Sequence, residues 1–154
     1  MRKIICNSLA ASLLSLSTIA GSAWAQDRNA ERAIKHRRAA FTLMSTYFSR
    51  LLQTVEGNRP FDPKQVMADA QIVEQLSRLP WEGFAPGSER GDTRAKEDIW
   101  LEEDRFKQLS QDMQARTAEL SLAASTGDLA KLKSAFAKTR EACNTCHKDF
   151  RSGP

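Results

Sequence analysis

The chain has 154 residues, of which 27% are charged and 41% are hydrophobic, and its formal net charge is +4 at pH 7. This length suits one domain with a single core. The charge is too small to favour binding to nucleic acid or to a membrane surface, because acidic residues are mixed with the basic ones along the chain.

Residues 1–25 are predicted to be a secretory signal peptide. Arg2 and Lys3 precede an apolar segment, and Ala23-Trp24-Ala25 offers an A-x-A cleavage site. The apolar segment is too short, and too close to the N-terminus, to be a good membrane anchor. We therefore expect export to the periplasm, cleavage after Ala25 and loss of Cys6 with the signal. The remaining domain, residues 26–154, would carry a formal charge of +2, since both lost charges are basic.

Four amphipathic helices are predicted in the remaining chain, because apolar residues recur at intervals of three and four. They cover about residues 27–55, 63–79, 95–124 and 129–151. No segment has the alternation typical of a strand. Four long helices with stripes at this spacing favour an all-α fold, an antiparallel four-helix bundle, and bundles of this kind hold cofactors between facing helices.

Local signals mark the helix ends. Asp62 can cap the second helix with Pro63 in its first position, and Gln65 completes the spacing of a capping box. Asp128 follows Gly127 and can cap the fourth helix. Residues 80–94 contain several glycines and prolines, so we predict a loop there. The loop is long enough to suggest a functional role.

The strongest motif is Cys143-Asn144-Thr145-Cys146-His147, which matches C-x-x-C-H, the attachment signature of c-type haem. On a helix, residues three and four apart share a face, so both thiols can reach the vinyl groups while His147 ligates the iron. We therefore predict one covalently attached haem c, with Cys143 and Cys146 as attachment sites and His147 as axial ligand.

Other interpretations of these cysteines are a thioredoxin-type redox pair, a zinc site and a structural disulfide. A thioredoxin-type pair normally accompanies a βαβ pattern, and a zinc site here would lack its fourth ligand. A disulfide suits an exported protein but gives no reason for the histidine. His36 lies among Lys35, Arg37 and Arg38, where a surface role is favoured over a role as sixth ligand.

Four stretches of the chain extend the pattern beyond the haem motif. They are residues 33–44, the sequence Leu79-Pro80-Trp81-Glu82-Gly83-Phe84, residues 91–94 with Ile99 and Trp100, and residues 143–151. In this order they resemble the cytochrome c′ family, the four-helix class of c-type cytochromes with the haem site near the C-terminus.

The resemblance implies further site residues. Phe41 matches the bulky apolar residue that covers the open side of a five-coordinate iron. Arg37, Arg38 and Asp92 match positions near the haem edge and propionates. Trp81 and Phe84 match loop residues near the ring, and Arg151 matches a basic residue beside the axial histidine.

The resemblance also implies a periplasmic homodimer that binds nitric oxide and carbon monoxide and passes single electrons to an unknown redox partner. Leu43, Tyr47 and Ile72 lie outside the main apolar stripe and suit a dimer contact. No acid/base pair suggests an enzyme. The alternative is a six-coordinate electron carrier in which Met44, three residues from Phe41 on the same face, closes the iron.

Overall fold

The structure is a computed structural model that describes the backbone of residues 17–153 and the side chains of residues 27–153. Its helices are α1 (Ser17–Val55), α2 (Pro63–Leu76), α3 (Asp98–Leu101), α4 (Glu103–Ser125) and α5 (Leu129–Phe150), with a 3₁₀ helix at Pro80–Gly83. The long helices α1, α2, α4 and α5 form the predicted four-helix bundle. Most of the predicted signal peptide, residues 1–16, lies outside the described residues. None of the described helices has an apolar stretch long enough to cross a bilayer.

The predicted helix caps are present at both positions. The Asp62 carboxylate accepts hydrogen bonds from the backbone N–H groups of Lys64 and Gln65, and that of Asp128 accepts from Ala130 and Lys131. The prediction of a capping box at Asp62 was wrong in one half. The side-chain amide of Gln65 donates to Asp69 Oδ1 at 2.9 Å, so it is turned along the helix and not back to the cap.

Three predicted helix boundaries differ from the structure. The helix α1 begins at Ser17, ahead of the predicted start, and α2 ends at Leu76, three residues early. The predicted third helix is divided at Glu102, where φ is −119° and ψ is 47°. Neither glycine nor proline marks this break. The short α3 comes directly after a segment that pairs with the end of α5, whereas α4 packs in the bundle against α2 and α5.

The core lies where the four long helices meet. The four helices pack in the order α1, α2, α4, α5, and α1 and α5 are in less contact with each other than the other adjacent pairs are. The most deeply buried core side chains are Leu51, Val73, Leu120 and Leu132. Phe48 of α1 stacks on Phe136 of α5 with ring centroids 4.3 Å apart. This pair joins the two helices that otherwise stay apart.

A buried carboxylate stabilises the turn between α1 and α2. The Asp69 side chain is only 3% exposed, and its oxygens lie 3.5 Å from Arg50 Nη1 and 3.9 Å from Arg59 Nη1. With the hydrogen bond from Gln65, these contacts balance the cost of burying a charge.

The 3₁₀ helix packs closely against α1 at Gly83. A Cβ atom at Gly83 would lie 2.7 Å from Arg37 Cβ and 2.8 Å from the Ala33 carbonyl oxygen. Only glycine therefore allows the two backbones to approach this closely.

Gly83→Ala should lower the free energy of unfolding by about 1–3 kcal/mol, because a methyl group must push the 3₁₀ helix away from α1. The measurement is urea unfolding followed by circular dichroism. Gly153→Ala is the matched control, since a Cβ there meets nothing within 4 Å. Equal midpoints for the two variants would contradict the close-packing argument.

Candidate functional site

A cleft of about 790 Å³ opens between α1 and α5 and extends under the 80–94 loop. Its volume lies in the range of small-molecule and cofactor sites. The structure brings every predicted site residue to this one cleft. The lining includes Arg37, Arg38, Phe41, Met44, Trp81, Phe84, Asp92, Cys143, Cys146, His147 and Arg151.

The α5 side of the cleft carries the haem motif. Cys143 and Cys146 are both half-buried free cysteines. Burial raises the pKa of the Cys143 thiol, and burial together with Cys143 and Asp149 raises the pKa of Cys146 to about 11. Both thiols are therefore neutral near pH 7. A reactive redox pair needs the opposite, a lowered thiol pKa, so the thioredoxin-type reading is disfavoured.

His147 lies in the last turn of α5 and opens onto the cleft. Although the residue is exposed, the surrounding protein still removes part of its hydration. This burial lowers the pKa of the imidazole, and the charges of Arg151 and Arg94 lower it further. The neutral imidazole, which is the form that ligates metals, is therefore favoured at neutral pH.

The end of α5 is tied to the segment before α3. The Lys96 backbone N–H donates to the Phe150 carbonyl at 3.0 Å, and the Ser152 N–H donates to the Arg94 carbonyl at 2.8 Å. Lys96 Nζ also donates to the carbonyls of Lys148 and Asp149, which lie at the exposed end of the helix. No local sequence pattern marks Lys96, because its hydrogen-bond partners lie 52 and 53 residues away along the chain.

The α1 side of the cleft is aromatic around Phe41. This half-buried ring makes edge contacts with Trp81 at 5.9 Å and with Phe84 at 6.4 Å between centroids. Met44 is 8% exposed and belongs to the main hydrophobic core, although it also borders the cleft. Phe41 packs against the edge of the same core, so the two side chains differ in burial and in the aromatic contacts that Phe41 makes with Trp81 and Phe84.

Arg37 is the most deeply buried charge at the site, at 2% exposure. Its Nη1 donates to the Gly83 carbonyl at 2.6 Å and to Ser88 Oγ at 2.7 Å, and its Nη2 donates to the Ser88 carbonyl at 2.6 Å and to Thr93 Oγ1 at 2.7 Å. The guanidinium also lies 4.7 Å from the Phe84 ring centroid. Four of its five donors are thereby used within the loop, which leaves Nε–H for any other partner.

The neighbours of Arg37 also reach the loop. Arg38, on the exposed surface, pairs with the Asp92 carboxylate and donates to the Asp92 carbonyl. His36 Nε2 lies 2.8 Å from the Leu79 carbonyl oxygen and 3.1 Å from Glu82 Oε1. It is half-buried, and it does not belong to the cleft lining. The contacts of His36 are consistent with the surface role favoured from the sequence.

Several polar lining residues were not expected. Thr42, Ser45, Thr46 and Ser49 of α1 border the cleft with Arg140 and Asn144 of α5. The expected apolar cover, Phe41 with Trp81 and Phe84, therefore has a polar border. These α1 residues carry hydroxyl groups at intervals of three and four beside the apolar stripe of Phe41. That spacing could have predicted a polar border, but it is equally normal for a solvated helix face.

The residues of the cleft fit a covalently attached haem. Two thiols and an imidazole from one helix turn line one wall, and aromatic side chains line the other. Cys143 and Cys146 would form the thioether links, and His147 would ligate the iron. Among residues 27–153, no cluster of three or more cysteine, histidine or acidic residues offers a separate metal site.

The sequence and the fold are similar to those of known proteins. A family model described as Cytochrome C′ matches residues 32–151. A cytochrome c′ from Alcaligenes xylosoxydans xylosoxydans is 41% identical over 79% of this chain and 94% of its own length.

Two solved structures share the fold. A cytochrome c prime from Shewanella frigidimarina superposes with a TM-score of 0.79 at 35% identity, covering 80% of this chain and 97% of the other. A nitric oxide complex of a mutant cytochrome c prime from Alcaligenes xylosoxidans gives 0.77 at 39% identity, covering 81% and 97%. The family match begins at residue 32, within α1, ends at the residue after α5 and includes the haem motif, so the chain belongs to the cytochrome c′ family.

Proposed function

We propose that this protein is a periplasmic cytochrome with one haem c and a five-coordinate iron, which binds nitric oxide and carbon monoxide and passes single electrons. The observation that carries the proposal is the asymmetry of the cleft: an imidazole stands on one wall and a phenylalanine on the other. Haem iron bound by one axial histidine keeps a position that a diatomic gas can take.

The two walls of the cleft have different roles, attachment and iron ligation on α5 and steric cover on α1. Cys143 and Cys146 would attach the cofactor to α5 through thioethers, and His147 would supply a nitrogen ligand to the iron. Phe41 covers the opposite side and has no lone pair to donate to a metal. Its contacts with Trp81 and Phe84 hold the ring in place, so an incoming gas must displace a packed side chain. Nitric oxide is supported by the nitric oxide complex of the Alcaligenes relative.

Binding and electron transfer are favoured over catalysis. Among the described residues that line the cleft, Asp92 is the single carboxylate, and it is paired with Arg38. A general acid or base acts from a titratable group at the reacting centre, and this carboxylate lies on the exposed surface in an ion pair with Arg38.

The alternative, a six-coordinate electron carrier, requires Met44 to reach the iron. Met44 borders the cleft, which keeps this function open. Its packing in the main core argues against it, because a thioether that turned toward a metal would leave unfilled space among buried residues.

Haem should resist extraction by acidified organic solvent, because two thioethers attach it to α5. The intact mass of the periplasmic protein should equal residues 26–154 plus one haem, which also tests export and cleavage after Ala25. A double variant, Cys143→Ser with Cys146→Ser, is the control and should lose its haem to the solvent. Release of most of the haem from the unaltered protein would contradict the attachment.

Phe41→Ala should speed carbon monoxide association, because the obstructing ring is gone, and should lower the free energy of unfolding by about 3–5 kcal/mol. Flash photolysis on the folded ferrous protein measures the rate. Met44→Leu is the matched control, since it keeps volume and costs under about 1.5 kcal/mol. If Met44→Leu instead converts a low-spin iron that rejects gas into a high-spin iron that binds it, Met44 is the sixth ligand and electron transfer becomes the leading function.

The proposal includes a homodimer built on the outer face of α1 and on α2. Leu43 is 52% exposed, and the half-buried Tyr47, one turn further, packs under the Arg50 guanidinium at 4.6 Å. Ile72 of α2 is also half-buried. A second copy would cover these apolar side chains, as association commonly does for exposed apolar patches.

Leu43→Glu should convert the dimer to a monomer, because it introduces a charge into an apolar contact. Sedimentation velocity of the holoprotein at micromolar concentration measures the mass. Leu122→Glu, at a leucine that is 69% exposed on α4, is the control and should remain dimeric. A monomeric unaltered protein at this concentration would reject the homodimer.

A further inference from the structure

We propose that Arg37 is a positioning residue that holds the loop of residues 84–93 against α1 and so keeps the aromatic wall of the cleft packed on Phe41. The effect on gas binding rests on the proposed role of Phe41, whereas the effect on the loop does not. The proposal is carried by the placement of the guanidinium, which is buried and surrounded by loop acceptors.

The loop has little regular structure of its own. Between the 3₁₀ helix and α3 its backbone includes Gly87 and Gly91, whose φ angles are 87° and 105°, values that other residues rarely adopt. Its internal backbone hydrogen bonds are short turns, such as Ser88 N–H to the Ala85 carbonyl and Thr93 N–H to the Gly91 carbonyl. A segment of this kind opens readily unless side chains from elsewhere fix it.

Arg37 donates hydrogen bonds to the residue just before the loop and to two residues within it. The acceptors belong to Gly83 at the end of the 3₁₀ helix, Ser88 in the middle of the loop and Thr93 at its end. Gly83 makes this possible, because the absence of a Cβ lets the 3₁₀ helix lie directly on Arg37. Arginine suits the task better than lysine, since its planar fork presents several donors in a fixed geometry.

The charge environment supports a structural role for this cation. All four acceptors are neutral, and burial lowers the pKa of the guanidinium while the charge of Glu89 raises it by less. Phe84 and Trp100 offer their ring faces at 4.7 and 5.8 Å. Cation–π contacts and carbonyl dipoles therefore replace the hydration that the guanidinium loses.

The loop in turn supplies the aromatic wall. Phe84 contacts Phe41, Trp81 and Phe106, with centroids 6.4, 6.2 and 4.8 Å away respectively. Loss of the Arg37 contacts would free Phe84 from one face of this group. Phe41 would then be displaced more easily, although neither Phe41 nor the axial ligand had been altered.

The first test is amide hydrogen exchange on the holoprotein. In Arg37→Met, exchange at the amides of Phe84, Ser88 and Thr93 should rise by at least about tenfold, because a hydrogen bond to a charged group contributes local stability of that order. Arg32→Met makes the same chemical change at an exposed site on α1 and should leave these amides unchanged. Unchanged loop exchange in Arg37→Met would overturn the proposal.

The second test separates positioning from direct contact with the cofactor. Thr93→Val and Ser88→Ala remove acceptors on the loop while the guanidinium stays, and both are milder than loss of Arg37. Each should speed carbon monoxide association in the same direction as Arg37→Met. Asp69→Asn weakens the opposite end of the bundle and should not change the rate, which excludes a general effect of lower stability.

Two outcomes distinguish the possible failures. If Arg37→Met shifts the gas rate and the reduction potential while Thr93→Val and Ser88→Ala shift neither, Arg37 acts directly on the haem and the proposal is wrong. If loop exchange rises as expected but neither Phe41→Ala nor the loop variants change the gas rate, Arg37 still positions the loop, and the proposed role of Phe41 fails instead.

Discussion

The separation of α1 from α5 is the constraint on which this structure depends. A small bundle gains stability by closing its helices on one another, yet these two must leave about 790 Å³ between them. The helices are held through their other neighbours, since α1 packs on α2 and the 3₁₀ helix while α5 packs on α4. The stacked pair Phe48 and Phe136 joins them beside the cleft and limits how far they can move.

The 80–96 segment supports the same separation at the open end of the bundle. One end is bound to α1 by Arg37, and the other is bound to the end of α5 by Lys96 and the backbone pairing around Arg94. The helix α5, which carries His147, and the helix α1, which carries Phe41, are thus connected through a loop. Irregular backbone can serve here because side chains satisfy its polar groups.

The two buried charges, Asp69 and Arg37, are stabilised in different ways. Asp69 lies between the partly exposed Arg50 and Arg59, so its charge is balanced by opposite charges. Arg37 is instead surrounded by carbonyl and hydroxyl oxygens and by aromatic faces. Arg37 is therefore a buried cation beside the cleft that does not pair with a carboxylate. Asp92 pairs with Arg38 instead.

The sequence by itself determined the cofactor chemistry, the four-helix class and the caps at Asp62 and Asp128, because each depends on residues a few positions apart. The spacing of Cys143, Cys146 and His147 brings two thiols and one imidazole close together on α5 in any fold that keeps this segment helical. Only the tertiary structure decided the break at Glu102, the shorter α2 and the contacts of Gln65, Arg37, Asp69 and Lys96. Arg37 bonds to residues 46 to 56 positions away, and Lys96 bonds to carbonyls more than 50 positions away. A basic residue on an amphipathic helix is normally predicted to lie on the surface. When residues far along the chain bury it, no local sequence pattern predicts that burial.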